Sequence, residues 1–428
     1  MGELVDTAAR TDLRAWSYRT APLDRLRGSW GIVGSAFLWL LFVSNFLVLH
    51  PAVGDGVTQY QFAQKLFGDR AHASGYYFGF GLLEAPFYGL GKLFESAGVA
   101  TLGGRPTREA VVAVGLAAIT FAVWPLLAPI LRGMDLRFRG FAILAAVFGT
   151  PFFFYATFYN GKNHAVDAVI FSAVAYLTFR YFRAGEQPEP WVPYVLGVVF
   201  GFSYVVRYFS GAEAVVFVAA LVVFRRFRHA TEVAVVSVVV CLLLWIAPMT
   251  EHVPVFHGAV DPSGALIFAP LNPLRMLFTN HRGLFVWSPV TALAVLGLVL
   301  LYRRRPEHRR FVAVLSLMAL GVIASYALIP YWDGTWSFSQ RFYTSLLPVV
   351  AIGLAGLAEA RPRPVLALTT VCTFWSLFLA FNLLIIGGPQ YLSTIPGGAT
   401  GVALIPHRTH TSIGAYVYGI RHISRLLP

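Results

Sequence analysis

Long apolar stretches, separated by short arginine clusters, run through most of this 428-residue chain. Hydrophobic residues make up 57% of the sequence and charged residues only 12%, a composition that excludes a soluble globular protein. Several stretches approach the roughly 20 apolar residues with which a helix crosses a bilayer. Because backbone polar groups in lipid must pair within their own segment, we predict an all-α, polytopic bundle of transmembrane helices.

The predicted spans number about eleven. The first span, near residues 30–50, is too long for the core of a signal peptide, and no small-residue cleavage site follows it. We therefore interpret it as a retained signal anchor. The predicted spans lie near residues 30–50, 110–131, 140–159, 164–181, 191–206, 209–224, 231–249, 284–301, 311–330, 342–359 and 364–387.

The arginine clusters predict the topology in a cell membrane. If the basic N-terminal segment 1–29 is cytoplasmic, every second turn should carry a basic cluster, and it does. The net charge of +13 therefore reflects topology and not a nucleic-acid partner. We expect a multispan domain over 30–387 and a short external C-terminal segment, 388–428. The clusters are Arg132/Arg137/Arg139, Arg180/Arg183, Arg225/Arg226/Arg228, Arg303 to Arg305 with Arg309/Arg310, and Arg361/Arg363.

A long first external loop, residues 51–109, follows from the same parity. Segment 76–98 is apolar, but it contains Glu84, Pro86 and Lys92, and counting it as a span would reverse every later turn. We therefore predict an amphipathic or re-entrant helix lying against the outer surface.

Asp55 stands between two glycines directly after the first span. Glycines let backbone and ligand come close, and a carboxylate at this position suits a general base. The alternative is that Asp55 caps a helix beginning near Val57. Gln59 and Tyr60 follow, and this polar, aromatic stretch indicates a sugar-binding surface.

The external turn before the fourth span carries further polar groups. If that span begins near Lys162, Asn163 and Asp167 lie on one helical face at i and i+4, with His164 nearby. Asp167 becomes a second candidate catalytic carboxylate. Alternatively, Asn160 or Asn163 caps the helix and Asp167 pairs with Lys162 or His164.

Single arginines at the outer ends of later spans, Arg207, Arg282 and Arg341, are candidates for binding an anionic headgroup, because guanidinium matches phosphate geometry. Arg207 could instead pair with Glu213 or extend to lipid phosphate. Few charges lie at mid-span, which weakens a transporter interpretation.

A metal site is not favoured. His252 and His257 could provide ligands, but Pro254 interrupts the helix that would bring them together. Cys241 and Cys372 lie inside apolar stretches without the spacing of metal ligands.

These motifs together resemble the GT-C superfamily of multispan glycosyltransferases, in particular the branch of protein O-mannosyltransferases and the lipid A aminoarabinose transferase. The resemblance runs from about residue 30 to 350. The motifs that carry it are Asp55, the turn Ala85-Pro86-Phe87-Tyr88, Asp167, the entry Arg282 to Pro289 and the segment Trp332 to Pro348.

The resemblance implies a polyprenyl-phosphate sugar donor reached from the outer leaflet and a glycan, lipid or protein acceptor. It implies that Asp55 is the catalytic base in an inverting transfer. The donor phosphate and sugar would be bound by Lys162, His164, Arg207, Arg282, Arg341, Gln59 and Tyr60. Gly56 stands where related enzymes place a second acid, which argues against a divalent metal. The alternatives are a lipid-linked-sugar flippase or other transporter, and a non-catalytic membrane scaffold.

Overall fold

The apolar stretches fold into helices throughout the described chain. A computed structural model describes residues 55–69, 71, 78–102, 105–157, 163–183, 188–250, 273–279, 283–328 and 339–392. Within these ranges the only strands are β1 (Thr101–Leu102) and β2 (Arg105–Pro106), which pair antiparallel in one short hairpin. The predicted all-α class is confirmed. The first predicted span and the last 36 residues, 393–428, lie outside the described residues.

The described helices are α1 (Asp55–Leu66), α2 (Phe78–Ser96), α3 (Thr107–Phe121), α4 (Val123–Gly133), α5 (Arg139–Gly149), α6 (Pro151–Thr157), α7 (Asn163–Tyr181), α8 (Val192–Val206), α9 (Gly211–Val223), α10 (Phe227–Thr250), α11 (Pro273–Phe278), α12 (Leu284–Trp287), α13 (Val290–Arg304), α14 (Arg309–Ala327), α15 (Leu347–Ala360) and α16 (Pro362–Leu392). Single 3₁₀ segments occupy Tyr208–Ser210, Pro306–His308 and Arg341–Leu346.

Every predicted span from 110–131 to 364–387 coincides with a helix or with two consecutive helices. In the described part of the chain, five helical segments are long and apolar enough to cross a bilayer. The pair α5 and α6, bent by 73° at its break, is a sixth candidate. The five segments are Thr107–Gly133, Phe227–Ile246, Pro306–Ala327, Arg341–Ala360 and Pro362–Ala380. The total of eleven spans stays a prediction.

Local sequence explains several helix ends. Arg132, Arg180 and Arg303 lie in the last turns of their helices, where a positive charge interacts favourably with the helix dipole. Pro193 and Pro348 lie in first turns, where the missing N–H has no intrahelical partner to lose.

Helix α15 lies at the centre of the bundle and α10 at its edge. In the apolar window of the segment containing α15, 89% of residues are buried, against 11% in that of α10. Helix α15 packs against α5, α7 and α13. Helix α7 is buried on nearly all sides although it carries Asn163, His164 and Asp167. Polar groups inside such a helix must find protein partners.

Two glycines let α13 and α15 cross closely. A Cβ atom at Gly297 would overlap the carbonyl oxygen of Gly353, and one at Gly353 would overlap that of Ala294. Without a hydrophobic driving force between helices in lipid, such close backbone contact is a main source of helix association.

We therefore expect Gly297→Ala to destabilise the bundle by about 1–3 kcal/mol, because overpacking forces the two backbones apart. Thermal unfolding of the purified protein in detergent measures this. Gly321→Ala is the matched control, since its new Cβ would lie 3.1 Å from a Val216 methyl carbon that can move. Equal unfolding temperatures for the two variants would contradict the close-crossing explanation.

Candidate active site

Helix α1 begins at Asp55, close to the start predicted after the first span. The contacts of the Asp55 side chain lie outside what the structure describes, so both its capping and its catalytic role stay predictions. Gln59 and Tyr60 are buried, and the Tyr60 ring meets the Tyr88 ring edge-on at 5.5 Å. Tyr60 thus packs against α2, and neither side chain lies on an open surface.

Helix α2 falls in the segment where the sequence predicts an amphipathic or re-entrant helix. Gly81 lets α2 approach α1, since a Cβ there would contact the Gln59 carbonyl oxygen. Gly79 lets the first turn of α2 approach the backbone of Val205 and Val206. Two glycines thus bring the segment that carries α1 and α2 against the end of α8, next to Arg207.

Glu84, on the inner side of α2, is fully buried. Neither of its carboxylate oxygens has a hydrogen-bond partner within the described ranges. It lies near Tyr60, whose ionisation it opposes electrostatically. The sequence showed Glu84 only as a reason to reject a span.

Asp167 and Arg207 form a buried ion pair. Arg207 Nη1 donates to Asp167 Oδ2 at 2.7 Å, and both side chains are 1% exposed. Ser210 Oγ donates to Asp167 Oδ1 at 2.8 Å. Helix α7 begins at Asn163, whose Nδ2 donates to the Val206 carbonyl at 3.0 Å. Asn163 and Asp167 thus share one face, as predicted; Asn163 binds the last residue of α8 and Asp167 binds the segment that follows it.

Arg207 is held on its other side by aromatic rings. Its guanidinium carbon lies 4.9 Å from the Tyr326 ring centroid and 5.8 Å from that of Phe342. The two rings stack with centroids 4.8 Å apart. Of the sequence alternatives, neither exposure to lipid headgroups nor a Glu213 pair is seen, because Asp167 supplies the counterion. Glu213 lies close enough to influence this pair electrostatically.

Arg341 approaches the same aromatic group. Its guanidinium carbon lies 5.2 Å from the Phe342 centroid, on the 3₁₀ segment before α15. One phenyl ring is therefore shared by two arginines, and the two positive charges converge on it. His164 is buried nearby on α7, with its ring 4.7 Å from the Tyr155 ring.

Several predicted site residues lie outside the described residues. They are Lys162, Arg282, His252 and His257. Among the residues the structure does describe, no three His, Cys, Asp or Glu side chains group as metal ligands.

Sequence reasoning missed Ser210 and Tyr326, and it named Glu213 only as a possible partner of Arg207. Ser210 and Glu213 are only a few positions from Arg207, so proximity in sequence was a usable signal. Tyr326 lies inside an apolar stretch of α14, and nothing in the sequence marks it.

A second polar group lies at the other end of α1. Asp69 accepts hydrogen bonds from Tyr88, Lys92 and Arg108. The bond from Tyr88 is the main cause that lowers the pKa of Asp69, with burial opposing it and the two cations assisting. Burial, helped by Asp69, raises the pKa of Tyr88 to about 12. Because the folded pKa of Asp69 is depressed, its contribution to stability is present above its ordinary pKa and is lost as pH falls.

Comparison with known proteins identifies the fold of this chain. No protein-family model and no curated protein sequence matches the chain. The crystal structure of ArnT from Cupriavidus metallidurans in the apo state matches with a TM-score of 0.52 at 12% identity, over 93% of this chain and 75% of ArnT. The chain has the GT-C fold. ArnT from the same organism bound to undecaprenyl phosphate matches with a TM-score of 0.48 at 12% identity, over 93% and 78% of the two chains.

Within this GT-C fold, removal of one partner of the ion pair should be strongly destabilising, because it leaves an unpaired buried charge. We expect Asp167→Ala to lower the free energy of unfolding by about 3–5 kcal/mol, because it removes the counterion of a buried guanidinium. The double variant Asp167→Ala/Arg207→Met should recover part of this loss, since an apolar side chain needs no counterion. Unfolding in detergent measures both. A double variant less stable than Asp167→Ala would contradict the assignment.

Proposed function

We propose that this chain is an inverting membrane glycosyltransferase, which transfers a sugar from a polyprenyl-phosphate donor to an acceptor hydroxyl at the outer membrane face. The observation that carries the proposal is the pair of guanidinium groups, Arg207 and Arg341, over the single Phe342 ring. The GT-C fold supports it. ArnT, whose apo form shares this fold, has been crystallised with undecaprenyl phosphate.

The two arginines would have different tasks. Arg341 is partly exposed and would contact the donor phosphate directly, where a guanidinium matches two phosphate oxygens. Arg207 is fixed by Asp167 and the aromatic rings, so its charge is already in place when negative charge develops on the leaving phosphate. Asp167 would act through Arg207 by orienting it. Lys162 is a third candidate for the phosphate.

Asp55 would be the general base that activates the acceptor. Its carboxylate would take the proton of the acceptor hydroxyl as the oxygen attacks the anomeric carbon from the face opposite the phosphate. The bond from carbon to phosphate oxygen breaks, and the configuration inverts. A general base contributes typically 10²–10⁴-fold, so phosphate stabilisation and positioning must supply the rest of the acceleration.

We expect Asp55→Asn to lower kcat by about 10²–10⁴-fold in folded protein given polyprenyl-phosphate sugar and acceptor. The measurement is formation of the new glycosidic bond by mass spectrometry. Asp135→Asn is the matched control, because Asp135 is an exposed aspartate in a turn with φ of 52°, which asparagine tolerates. Near-normal transfer by Asp55→Asn would remove the base from the proposal.

We expect Arg341→Ala to weaken donor binding by about 10-fold to 100-fold, the loss of one charged hydrogen-bonding group worth about 1.5–3 kcal/mol. Titration calorimetry with the donor in detergent measures this. Arg310→Ala removes a comparable arginine, 5.6 Å above the Phe224 ring, and should leave the affinity unchanged. Donor affinity equal to that of the parent would exclude Arg341 from the site.

A lipid-linked-sugar flippase is the second candidate. The observation in its favour is the buried group Asp167, Arg207 and Glu213, because ionisable residues inside helical bundles often mark transport routes. Reconstitution in liposomes separates the two. Movement of the lipid-linked sugar between leaflets without a new glycosidic bond would favour the flippase.

A further inference from the structure

The network around Asp69 connects three separate helices. The Asp69 carboxylate accepts hydrogen bonds from Tyr88 and Lys92 on α2, the latter at 2.9 Å, and from Arg108 on α3 at 3.1 Å. Arg108 also donates to the Tyr88 hydroxyl at 2.8 Å. Lys92 donates in addition to the carbonyl of Phe67, just beyond α1, at 3.1 Å. The end of α1 is thereby fixed to both neighbouring helices.

Asp69 moves as one body with α1. The Gly68 N–H donates to the Lys65 carbonyl at 3.0 Å, and the Asp69 N–H donates to the Gln64 carbonyl at 3.2 Å. Gly68 has a φ of 77°, so the pattern is a Schellman motif. Because these two hydrogen bonds close the turn, contacts that fix the position of Asp69 also fix the end of α1.

Helix α1 depends on contacts with neighbouring helices for its stability and orientation. It has 12 residues, a length at which an isolated helix is marginal in water. Its middle is held by ring contacts, Tyr60 with Tyr88 and Phe62 with Phe78. These contacts and the close approach of Gly81 to the Gln59 carbonyl oxygen all lie away from the Asp69 end of α1, and they leave the tilt of the helix about this region free. The hydrogen bonds at Asp69 are directional and do fix it.

The opposite end of α1 begins at Asp55. The rise of 1.5 Å per residue puts about 16 Å between the two ends of the helix, so a tilt of about 4° displaces the first residue by about 1 Å. A misplacement of 1 Å in a catalytic geometry costs on the order of 10²-fold in rate. We infer that Asp69 is a positioning residue, which sets the tilt of α1 and with it the place of the base. This inference rests on the role proposed for Asp55.

The first test is kinetic and uses the full-length protein. Asp69→Asn keeps the shape of the side chain but removes the negative charge to which Tyr88, Lys92 and Arg108 donate. We expect kcat to fall about 10-fold to 100-fold. The KM for the sugar donor should stay unchanged, because the proposed phosphate site at Arg207 and Arg341 is untouched. Asp69→Glu should restore part of kcat. If Asp69→Asn proves unstable, Tyr88→Phe removes one donor only and should lower kcat in the same direction.

Glu95→Gln is the matched control. Glu95 lies on α2 and pairs with Arg108 at 2.6 Å, so its loss weakens the same network between α2 and α3 without altering an Asp69 bond. Its kcat should stay within about twofold of the parent. An equal fall in Glu95→Gln and Asp69→Asn, or a parental kcat in Asp69→Asn, would overturn the inference.

A second readout does not depend on activity. Spin labels at Gln61→Cys on α1 and Leu93→Cys on α2, with Cys241 and Cys372 replaced by serine, report the distance between the helices. Asp69→Asn should broaden this distance distribution, and an unchanged distribution would overturn the inference. If Asp55→Asn retains transfer while the distribution broadens, the base assignment fails and the positioning of α1 stands.

Discussion

The buried guanidinium of Arg207 is the constraint on which the centre of this molecule depends. Removing a charge from water costs several kcal/mol unless a counterion and hydrogen bonds replace the solvent. Asp167 provides the counterion and a hydrogen bond and is itself held by Ser210, and the rings of Tyr326 and Phe342 lie against the guanidinium. Satisfying one side chain therefore joins α7, the turn after α8, α14 and the 3₁₀ segment before α15 at one point.

The glycines of α2 connect this arrangement to the segment that carries α1 and α2. Gly79 brings α2 onto the backbone just before Arg207, and Gly81 brings α1 onto α2. This segment is thus attached to the bundle next to the ion pair of Asp167 and Arg207. A site made of elements so distant in sequence depends on close backbone contact, which larger side chains would prevent.

Sequence patterns predicted the helices far better than their contacts. Apolar length located α7 and α8 to within about a residue, and helical spacing placed Asn163 and Asp167 on one face. The partner of Asp167 could not be predicted, because Arg207 lies 40 residues away and pairing over that distance is decided by helix packing. For the same reason Gln59 and Tyr60 indicated a polar surface, although both side chains are buried and the Tyr60 ring packs against α2. The sequence did not indicate that Tyr326 contacts Arg207, because aromatic residues are common in apolar stretches.

The bend between α5 and α6 has a consequence for how the protein enters the membrane. Helix α6 has seven residues, about 10 Å of helix against about 30 Å of hydrocarbon, and all seven are buried in protein. A segment so short cannot leave the insertion machinery as an independent span, since its terminal backbone groups would face lipid unpaired. Its final place exists only once α7 and the segment before α15 have packed around it. The burial of α6 within the bilayer therefore depends on contacts with helices that follow it in the chain.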